Sequence, residues 1–349
     1  MIGFAANPVQ ADEGVTGKFL GSGTSGGNVY LNGGDKAYTA LLQIKLDKGE
    51  VLNTYCIDQK THTQSGAPMV EDDWSTYPED NKFKTQPEKV NWILQNSYPH
   101  VSDLAALAKA AGIDSLKTSE AIAGTQAAIW HFSNGVELDA KKNKPNVVKL
   151  YDYLTGAKNT GIKVQPAPSL QITPDKATGE SGDKIGPFTV KTSESSVPLT
   201  VDSKTKGVTL VDKNGKVVKS AANGGKVYLK VPANADAGTA TITGALKEAD
   251  IQTGRLFRGT KVKTQTLIVA TTTKAKAEKS VEASWKKGTQ PSESPSASTP
   301  APSTPAPSTS PAGGSLPVTG TNVALFAGVG AVLLLIGGGL FLVARKRRA

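Results

Sequence analysis

Hydrophobic and polar residues alternate with different periods in different parts of the chain. Short apolar runs rich in β-branched and aromatic residues come first, and they predict strands at residues 28–31, 37–44 and 51–58. Segments with helical periodicity follow, and they predict helices at residues 87–96, 102–111, 120–133 and 147–154. The polar residues 58–83 show no period and are interpreted as a long loop. Strands followed by helices predict an α+β domain over residues 16–162.

A second pattern begins after the Pro-Ala-Pro sequence at residues 166–168. Strand-like runs now recur at short intervals without a helical period, at residues 170–172, 188–190, 199–201, 208–211, 227–231, 240–242 and 267–269. Asn214-Gly215 is a strong signal for a hairpin between Val211 and Val217. Seven short strands predict an immunoglobulin-like β-sandwich over residues 163–283.

The pattern of packed domains stops at residues 284–315, which are rich in Pro, Ser and Thr. Such a composition cannot bury enough apolar surface to fold, so it predicts a disordered linker. In polyproline II form residues 288–315 would span roughly 80–90 Å.

Beyond the linker lies an apolar run, residues 323–344, followed by the basic tail Arg345-Lys346-Arg347-Arg348. The run is long enough to predict a transmembrane helix, and the positive charge predicts a cytoplasmic tail. Ahead of it stand Leu316, Pro317, Val318, Thr319 and Gly320. This motif, span and tail resemble the cell-wall sorting signal recognised by sortases, which implies cleavage between Thr319 and Gly320 and attachment of Thr319 to peptidoglycan. The alternative is a simple membrane anchor with a chance LPVTG.

Charge and cysteine content narrow the class of protein. The formal net charge is +10, of which the tail supplies four. The sequence contains no basic cluster interleaved with aromatic residues, which is the pattern that would predict nucleic-acid binding.

Val9-Gln10-Ala11 is similar to a signal-peptide cleavage site, so residues 1–15 are interpreted as the remnant of a signal peptide. The alternative is an ordinary frayed terminus. The single cysteine, Cys56, excludes an intramolecular disulfide framework and requires another explanation, such as a free thiol, an intermolecular bridge or a covalent modification.

One face of the predicted helix at residues 120–133 is largely apolar but contains the polar residue Gln126. At helical spacing Ile122, Gln126, Ile129, Trp130 and Ser133 share a face, so the Gln126 amide lies within an apolar stripe. Burying an unpaired amide costs roughly 1–3 kcal/mol. Either Gln126 meets a hydrogen-bonding partner, or its carbonyl carbon has been put to chemical use.

Two short motifs favour a chemical role for the Gln126 carbonyl carbon. Tyr55-Cys56-Ile57-Asp58 and the segment from Thr125 to Trp130 resemble the motifs of the thioester domains of Gram-positive surface adhesins. The resemblance covers residues 16–162 and implies that the Cys56 thiol and the Gln126 amide condense, with loss of ammonia, into an internal thioester. Polarising donors would assist the condensation, and Tyr55 and Trp130 are expected to line a narrow cleft around the bond.

The resemblance implies a multidomain surface protein: a thioester domain, a β-sandwich stalk, a wall-spanning linker and one transmembrane helix. We expect it to be secreted, anchored to the wall and joined covalently to a surface protein or other amine-bearing target through a lysine. Its further partners would be sortase, peptidoglycan and, before sorting, the membrane. As a single-turnover binder it is not an enzyme, and we expect no cofactor and no metal.

Two alternatives remain for the function. The chain could be a wall-anchored module that binds without a covalent bond and contains a buried structural cysteine. It could also be a cysteine-dependent enzyme that uses Cys56 with His62 or His131, which requires a thiolate beside a base.

Overall fold

The computed structural model of the chain describes residues 15–288. Several predictions lie outside this range: the signal-peptide remnant, most of the linker, and the sorting signal with its transmembrane helix. Within residues 15–288 no helix is both long enough and apolar enough to cross a membrane. The described residues are mostly β-structure.

The N-terminal part begins with four strands. They are β1 (Thr16–Tyr30), β2 (Lys36–Leu46), β3 (Val51–Cys56) and β4 (Pro68–Asp72). β1, β2 and β3 form an antiparallel meander, and β4 pairs with the start of β1. Alternate inward residues such as Ile44 and Leu52 are completely buried, as expected for strands with one face on a core.

Residues 58–83 are more structured than the predicted loop. They contain β4 and a 3₁₀ helix at Trp74–Thr76, and a second 3₁₀ helix at Lys82–Thr85 begins at their end. The prediction of a long loop was therefore wrong for the Met69-Val70 region, where two buried apolar residues lie between Pro68 and the acidic pair Glu71-Asp72. A strand this short has too few alternations to be recognised from its pattern.

Four helices follow, close to the predicted positions. They are α1 (Pro87–Gln95), α2 (Leu104–Ala110), α3 (Thr118–Asn134) and α4 (Pro145–Thr155). α3 packs against α1 and α4 on one side and against β1, β2 and β3 on the other. It ends at Gly135, whose left-handed φ of 70° lets its N–H close the last turn onto the His131 carbonyl at 3.1 Å.

The helix α3 is buried on almost every side, rather than along one stripe. All five residues of the predicted face are at most 5 % exposed, but so are Ala121, Ala123, Thr125, Ala127 and Ala128. Small residues allow this close packing: a Cβ on Gly124 would lie 2.9 Å from the Leu150 side chain. The helix is therefore the centre of the N-terminal core.

The second part of the chain forms two sheets. Its strands are β5 (Leu170–Thr173), β6 (Lys176–Glu180), β7 (Lys184–Thr192), β8 (Ser196–Ser203), β9 (Thr209–Val211), β10 (Ser220–Ala222), β11 (Lys226–Lys230) and β12 (Gly238–Ile251), followed later by β15 (Thr273–Lys286). One sheet has the order β10-β8-β12-β15-β6 and the other β5-β7-β11-β9. The predicted Asn214-Gly215 hairpin is confirmed, since Val211 and Val217 form an antiparallel bridge across it.

Between β12 and β15 the chain leaves these sheets and returns to the first part. The hairpin of β13 (Leu256–Gly259) and β14 (Leu267–Val269) closes the N-terminal strands into a barrel of order β1-β2-β3-β14-β13-β4. The assignment of residues 267–269 to the sandwich was therefore wrong. An apolar run of three residues contains no information about which sheet it joins, because both sheets offer it the same backbone pairing.

A buried ion cluster joins the returning segment to the barrel. Arg255 is 1 % exposed and donates to Glu71 through Nε and to Asp73 through an Nη, each at 2.8 Å. The same Nη donates to the Pro166 carbonyl at 3.2 Å, so the boundary between the two parts is held by the cluster. Burial alone would raise the pKa of Asp73, but the Arg255 guanidinium and the Gln165 amide bring it below the usual range.

Candidate functional site

The end of β3 and the middle of α3 place the cysteine and the glutamine together. The Cys56 N–H donates to Gln126 Oε1 at 3.0 Å, and Gln126 Nε2 donates to the Cys56 carbonyl at 2.8 Å. The amide thus continues the hydrogen bonding of β3 as a strand neighbour would. Cys56 is 3 % exposed and Gln126 is 1 % exposed. Residues 70 positions apart are therefore in direct contact in a site closed to solvent.

The returning hairpin covers the other neighbour of this strand. β14 pairs antiparallel with β3, with Leu267 opposite Cys56. The Ile57 N–H donates to the Thr266 carbonyl at 3.3 Å. The strand that carries Cys56 is consequently positioned by a segment more than 200 residues later in the chain.

The surroundings of the thiol keep it protonated. Burial raises the pKa of Cys56 to about 12, and the Asp58 charge acts in the same direction. The Trp130 indole and the Asp58 N–H, which donates to Sγ at 3.3 Å, lower the pKa only in part. A nucleophilic cysteine of an enzyme needs a depressed pKa in an electropositive setting. The pKa of Cys56 is raised instead, so its surroundings are unlike those of an enzyme nucleophile.

Unpaired polar atoms collect around the two residues. Within residues 15–288, six buried side-chain N or O atoms have no hydrogen-bond partner of normal geometry, and three of them are Asp58 Oδ2, Thr125 Oγ1 and Trp130 Nε1. Each belongs to a residue within four positions of Cys56 or Gln126. Of these, Trp130 still interacts with the Cys56 thiol, and Thr125 with the Tyr55 hydroxyl. A buried polar group without a good partner costs roughly 1–3 kcal/mol, so these three positions beside Cys56 and Gln126 require an explanation.

Aromatic hydroxyls seal the site instead of lining an open cleft. Tyr55 is completely buried and donates to the Tyr98 carbonyl at 2.8 Å, and burial holds the pKa of its hydroxyl far above the ordinary value. Tyr77 donates to the Ile57 carbonyl at 3.2 Å. Trp130 lies beside the thiol as expected. The predicted narrow cleft is replaced by a closed site, since Tyr55 and Trp130, like Cys56 and Gln126, are at most 5 % exposed.

Neither histidine considered above contacts the cysteine. His131 Nδ1 and the Tyr151 hydroxyl are 2.8 Å apart, which places the imidazole between α3 and α4. Burial lowers the pKa of His131. His62 is exposed on the segment after Cys56. Residues 15–288 also contain no group of three or more His, Cys, Asp or Glu that could hold a metal ion.

Two features of the site could not be read from sequence. The donor that polarises the Gln126 carbonyl is the Cys56 backbone N–H, and a backbone group leaves no trace in the residue types. Asp58 was visible as part of the Tyr55–Asp58 motif, yet only the fold shows that its carboxyl group is buried, at 3 % exposure. An acidic residue two positions after the motif cysteine is the signal that could have been followed.

Comparison with known families agrees with this geometry. Residues 53–160 match the model of the thioester domain family, and residues 308–349 match the LPXTG cell wall anchor motif. The first range contains both Cys56 and Gln126, and the second contains the LPVTG sequence. None of the curated proteins is detectably similar in sequence.

Solved structures of similar proteins were found at low identity. The Bacillus anthracis TIE protein is 20 % identical over 79 % of this chain and 49 % of its own, with a TM-score of 0.33. The thioester domain of the Enterococcus faecium TIE86 protein is 18 % identical over 82 % of this chain and 100 % of its own, with a TM-score of 0.34. The thioester domain of the Staphylococcus aureus TIE protein is 15 % identical over 78 % of this chain and 98 % of its own, with a TM-score of 0.30. The chain spans about half the length of the B. anthracis chain that it matches.

The anchor motif and the domain that precedes it define the class of protein: this is a cell-surface protein anchored to the wall. Within that class, residues 53–160 form the part of the chain that is similar to the thioester domain family.

Proposed function

We propose that this wall-anchored protein captures its target covalently, through an internal thioester between Cys56 and Gln126. The observation that carries the proposal is the paired hydrogen bond between the Gln126 amide and the Cys56 backbone. It holds the side-chain carbonyl of Gln126 beside the residue that supplies the sulfur. Fixing the two groups in this way removes much of the entropic cost of their condensation.

The same hydrogen bonds also activate the carbonyl. The Cys56 N–H at 3.0 Å from Oε1 stabilises the negative charge that develops on this oxygen as sulfur attacks. The sulfur–carbon bond forms, the carbon–nitrogen bond breaks, and ammonia leaves with the thiol proton. Attack by a target amine later breaks the sulfur–carbon bond, returns a proton to the sulfur and leaves an amide on Gln126.

The burial of Gln126 does not by itself distinguish this proposal from a structural role. Its amide is satisfied by Cys56, so a folded protein with an intact glutamine and a free thiol would meet the hydrogen-bonding demand equally well. That is the alternative of a non-covalent binding module. The covalent function is favoured because the partner of the amide is the only cysteine of the chain, inside the range that matches the thioester domain family.

The remaining parts of the chain would present the reactive domain. We infer that the two sheets form an immunoglobulin-like stalk, that the linker crosses the wall, and that residues 323–344 span the membrane until sortase joins Thr319 to peptidoglycan. The target is a surface protein or another molecule with an accessible primary amine. Each molecule reacts once, so the protein is a binder and not an enzyme.

Intact mass and thiol titration of the purified full-length chain test the function together. We expect the wild-type protein to be lighter by one ammonia and to present no titratable thiol, even when it is denatured without a nucleophile. Methylamine should add to Gln126 and release the Cys56 thiol in equal amounts.

Two variants provide the controls for this test. Cys56→Ala should retain the ammonia and take up no methylamine, and Gln126→Ala should show one thiol and also take up none. A wild-type protein with full amide mass and one thiol after denaturation would overturn the covalent function and leave the non-covalent module.

A further inference from the structure

Asp58 occupies an unusual position beside the Cys56–Gln126 pair. It is two residues after Cys56, its N–H contacts the sulfur at 3.3 Å, and its carboxyl group is near enough to influence the thiol electrostatically. The residue is 3 % exposed, and its Oδ2 has no hydrogen-bond partner. A carboxyl oxygen left unpaired in the interior is costly unless it has a use.

The groups around Asp58 come from three segments. Glu79 lies in the segment between β4 and α1, Lys263 lies in the turn between β13 and β14, and these two form an ion pair of 3.7 Å. Burial raises the pKa of Asp58, with a smaller contribution from Glu79 in the same direction, whereas hydrogen bonds from Thr61 to the carboxyl group and the Lys263 charge act against it. Tyr77 and Cys56 are the other titratable groups that interact with the carboxyl group.

The tyrosine and histidine side chains near the site already have hydrogen-bond partners. The Tyr55 and Tyr77 hydroxyls donate to the Tyr98 and Ile57 carbonyls, and His131 is bound to Tyr151. A thiol whose pKa is about 12 does not ionise by itself near neutral pH, so a neighbouring base must take its proton as the sulfur attacks. Asp58 has the free oxygen for that transfer.

We propose that Asp58 is a proton-transfer residue for the thioester, carrying one proton between the Cys56 sulfur and the nitrogen that leaves or attacks. The inference rests on the proposed function. During formation, the Asp58 carboxylate takes the thiol proton as the sulfur–carbon bond forms and gives it to the departing amide nitrogen, so that ammonia leaves. During capture, the carboxylate takes a proton from the attacking amine and gives it to the sulfur as the sulfur–carbon bond breaks. The carboxylate is restored in each direction.

Asp58→Asn tests this assignment, because it keeps the size of the side chain and the backbone N–H while removing the base. We expect ammonia loss in the purified full-length variant, followed by mass over time, to be at least about 100-fold slower than in wild type, within the range of general acid–base catalysis. Any thioester that does form should react with hydroxylamine more slowly by a similar factor. Glu79→Gln is the matched control, since it removes a neighbouring charge but not the base, and its rates should stay within about threefold, the effect of a modest electrostatic change.

The pH profile separates proton transfer from a structural role. Because hydroxylamine also takes up a proton in acid, rates are expressed per neutral hydroxylamine molecule; on that basis the wild-type rate should rise with pH as the Asp58 carboxyl ionises, and the Asp58→Asn rate should not. If Asp58→Asn does not fold, as judged by thermal melting, the wild-type profile decides alone: a rate independent of pH overturns the proposal. Wild-type rates in a folded Asp58→Asn protein also overturn it. A wild-type protein without any ammonia loss would instead overturn the proposed function itself.

Discussion

At the scale of single residues, the site depends on keeping a reactive group away from water. Cys56 and Gln126 are almost completely buried, and burial holds the proton on the sulfur by raising its pKa to about 12. Because a thiolate is the reactive form of cysteine, an unmodified Cys56 should be inert in the folded protein. Under the proposed function, the reactivity of this site would belong to the thioester and not to the thiol.

The raised pKa of the Cys56 thiol can be measured through its effect on stability in the Gln126→Ala variant, which retains the thiol. The folded-state pKa of Cys56 is raised above the unfolded value of about 8.5, so its contribution to stability is fully present below that pH and is lost as the pH rises toward 12. We expect the free energy of unfolding to fall by about 1.4 kcal/mol per pH unit above 8.5, relative to a Cys56→Ala/Gln126→Ala double variant.

Denaturant titration of both variants at several pH values gives this difference. Buried tyrosines such as Tyr55 and Tyr77 also favour the protonated state, but they are common to both proteins and cancel. Equal slopes in the two variants would mean that the thiol of Cys56 titrates normally, contrary to its burial.

At the scale of the elements, the hairpin of β13 and β14 connects the two halves of the chain. Residues 267–269 are the pairing partner of the strand that ends in Cys56, and β13 pairs with β4 on its other side. Removing the hairpin would leave the backbone groups of β3 and β4 without partners in an open barrel. Unpaired edges of this kind favour aggregation.

We therefore expect a fragment of residues 16–162 not to fold cooperatively, although it contains both motif residues. A fragment of residues 15–288 should give a single cooperative thermal transition monitored by circular dichroism and react with methylamine as the full chain does. The shorter fragment should show a broad transition or aggregate, because it lacks two of six barrel strands. Cooperative melting with methylamine uptake by residues 16–162 would show that the hairpin is dispensable.

At the scale of the whole molecule, a buried ion cluster holds the barrel and the two-sheet region together. Arg255 lies where the chain returns from β12 to the barrel, and its partners Glu71 and Asp73 lie on and just after β4. Breaking a buried pair leaves a charge without compensation, which costs about 3–5 kcal/mol. The lowered pKa of Asp73 means that this stabilisation is lost as the pH falls and the carboxylate is protonated.

Arg255→Ala should accordingly reduce the free energy of unfolding by about 3–5 kcal/mol in denaturant titrations at neutral pH. Arg258→Ala is the matched control, since its pair with Asp72 is partly exposed and should contribute at most about 1 kcal/mol. Similar losses of unfolding free energy in the two variants would show that the buried ion pairs of Arg255 stabilise the fold no more than a partly exposed pair does.

Attachment to the wall is tested at the same scale. Thr319→Ala, and separately Leu316→Ala, should leave the protein in the membrane or the medium, because sortase requires the LPVTG sequence to form the bond to peptidoglycan. Fractionation after muramidase digestion measures the distribution. Protein with Leu316→Ala that is still released with wall fragments, as in wild type, would contradict the role assigned to the motif.

Several features of this protein are determined by local sequence. The start and stop of α3 follow from Glu120, whose carboxylate accepts from the Lys117 N–H, and from the left-handed Gly135. The Asn214-Gly215 turn and the LPVTG motif are likewise short-range signals. β15 was not predicted, because the small alanines at its inward positions, with Lys279 among them, weaken the hydrophobic contrast on which a strand prediction depends. The pairing of Cys56 with Gln126 was predicted through motif resemblance, and their contact agrees with it.

Only the tertiary structure decided which distant segments meet. The strand at residues 267–269 has the same pattern whether it joins the sandwich or the barrel, and its pairing with Cys56 is determined by the long-range path of the chain. The polarising donor is a backbone N–H, and the carboxyl group of Asp58 becomes chemically distinctive only through burial. Local sequence specifies dihedral preferences and faces, whereas pairing across 70 to 200 residues and the desolvation of a group are properties of the assembled core.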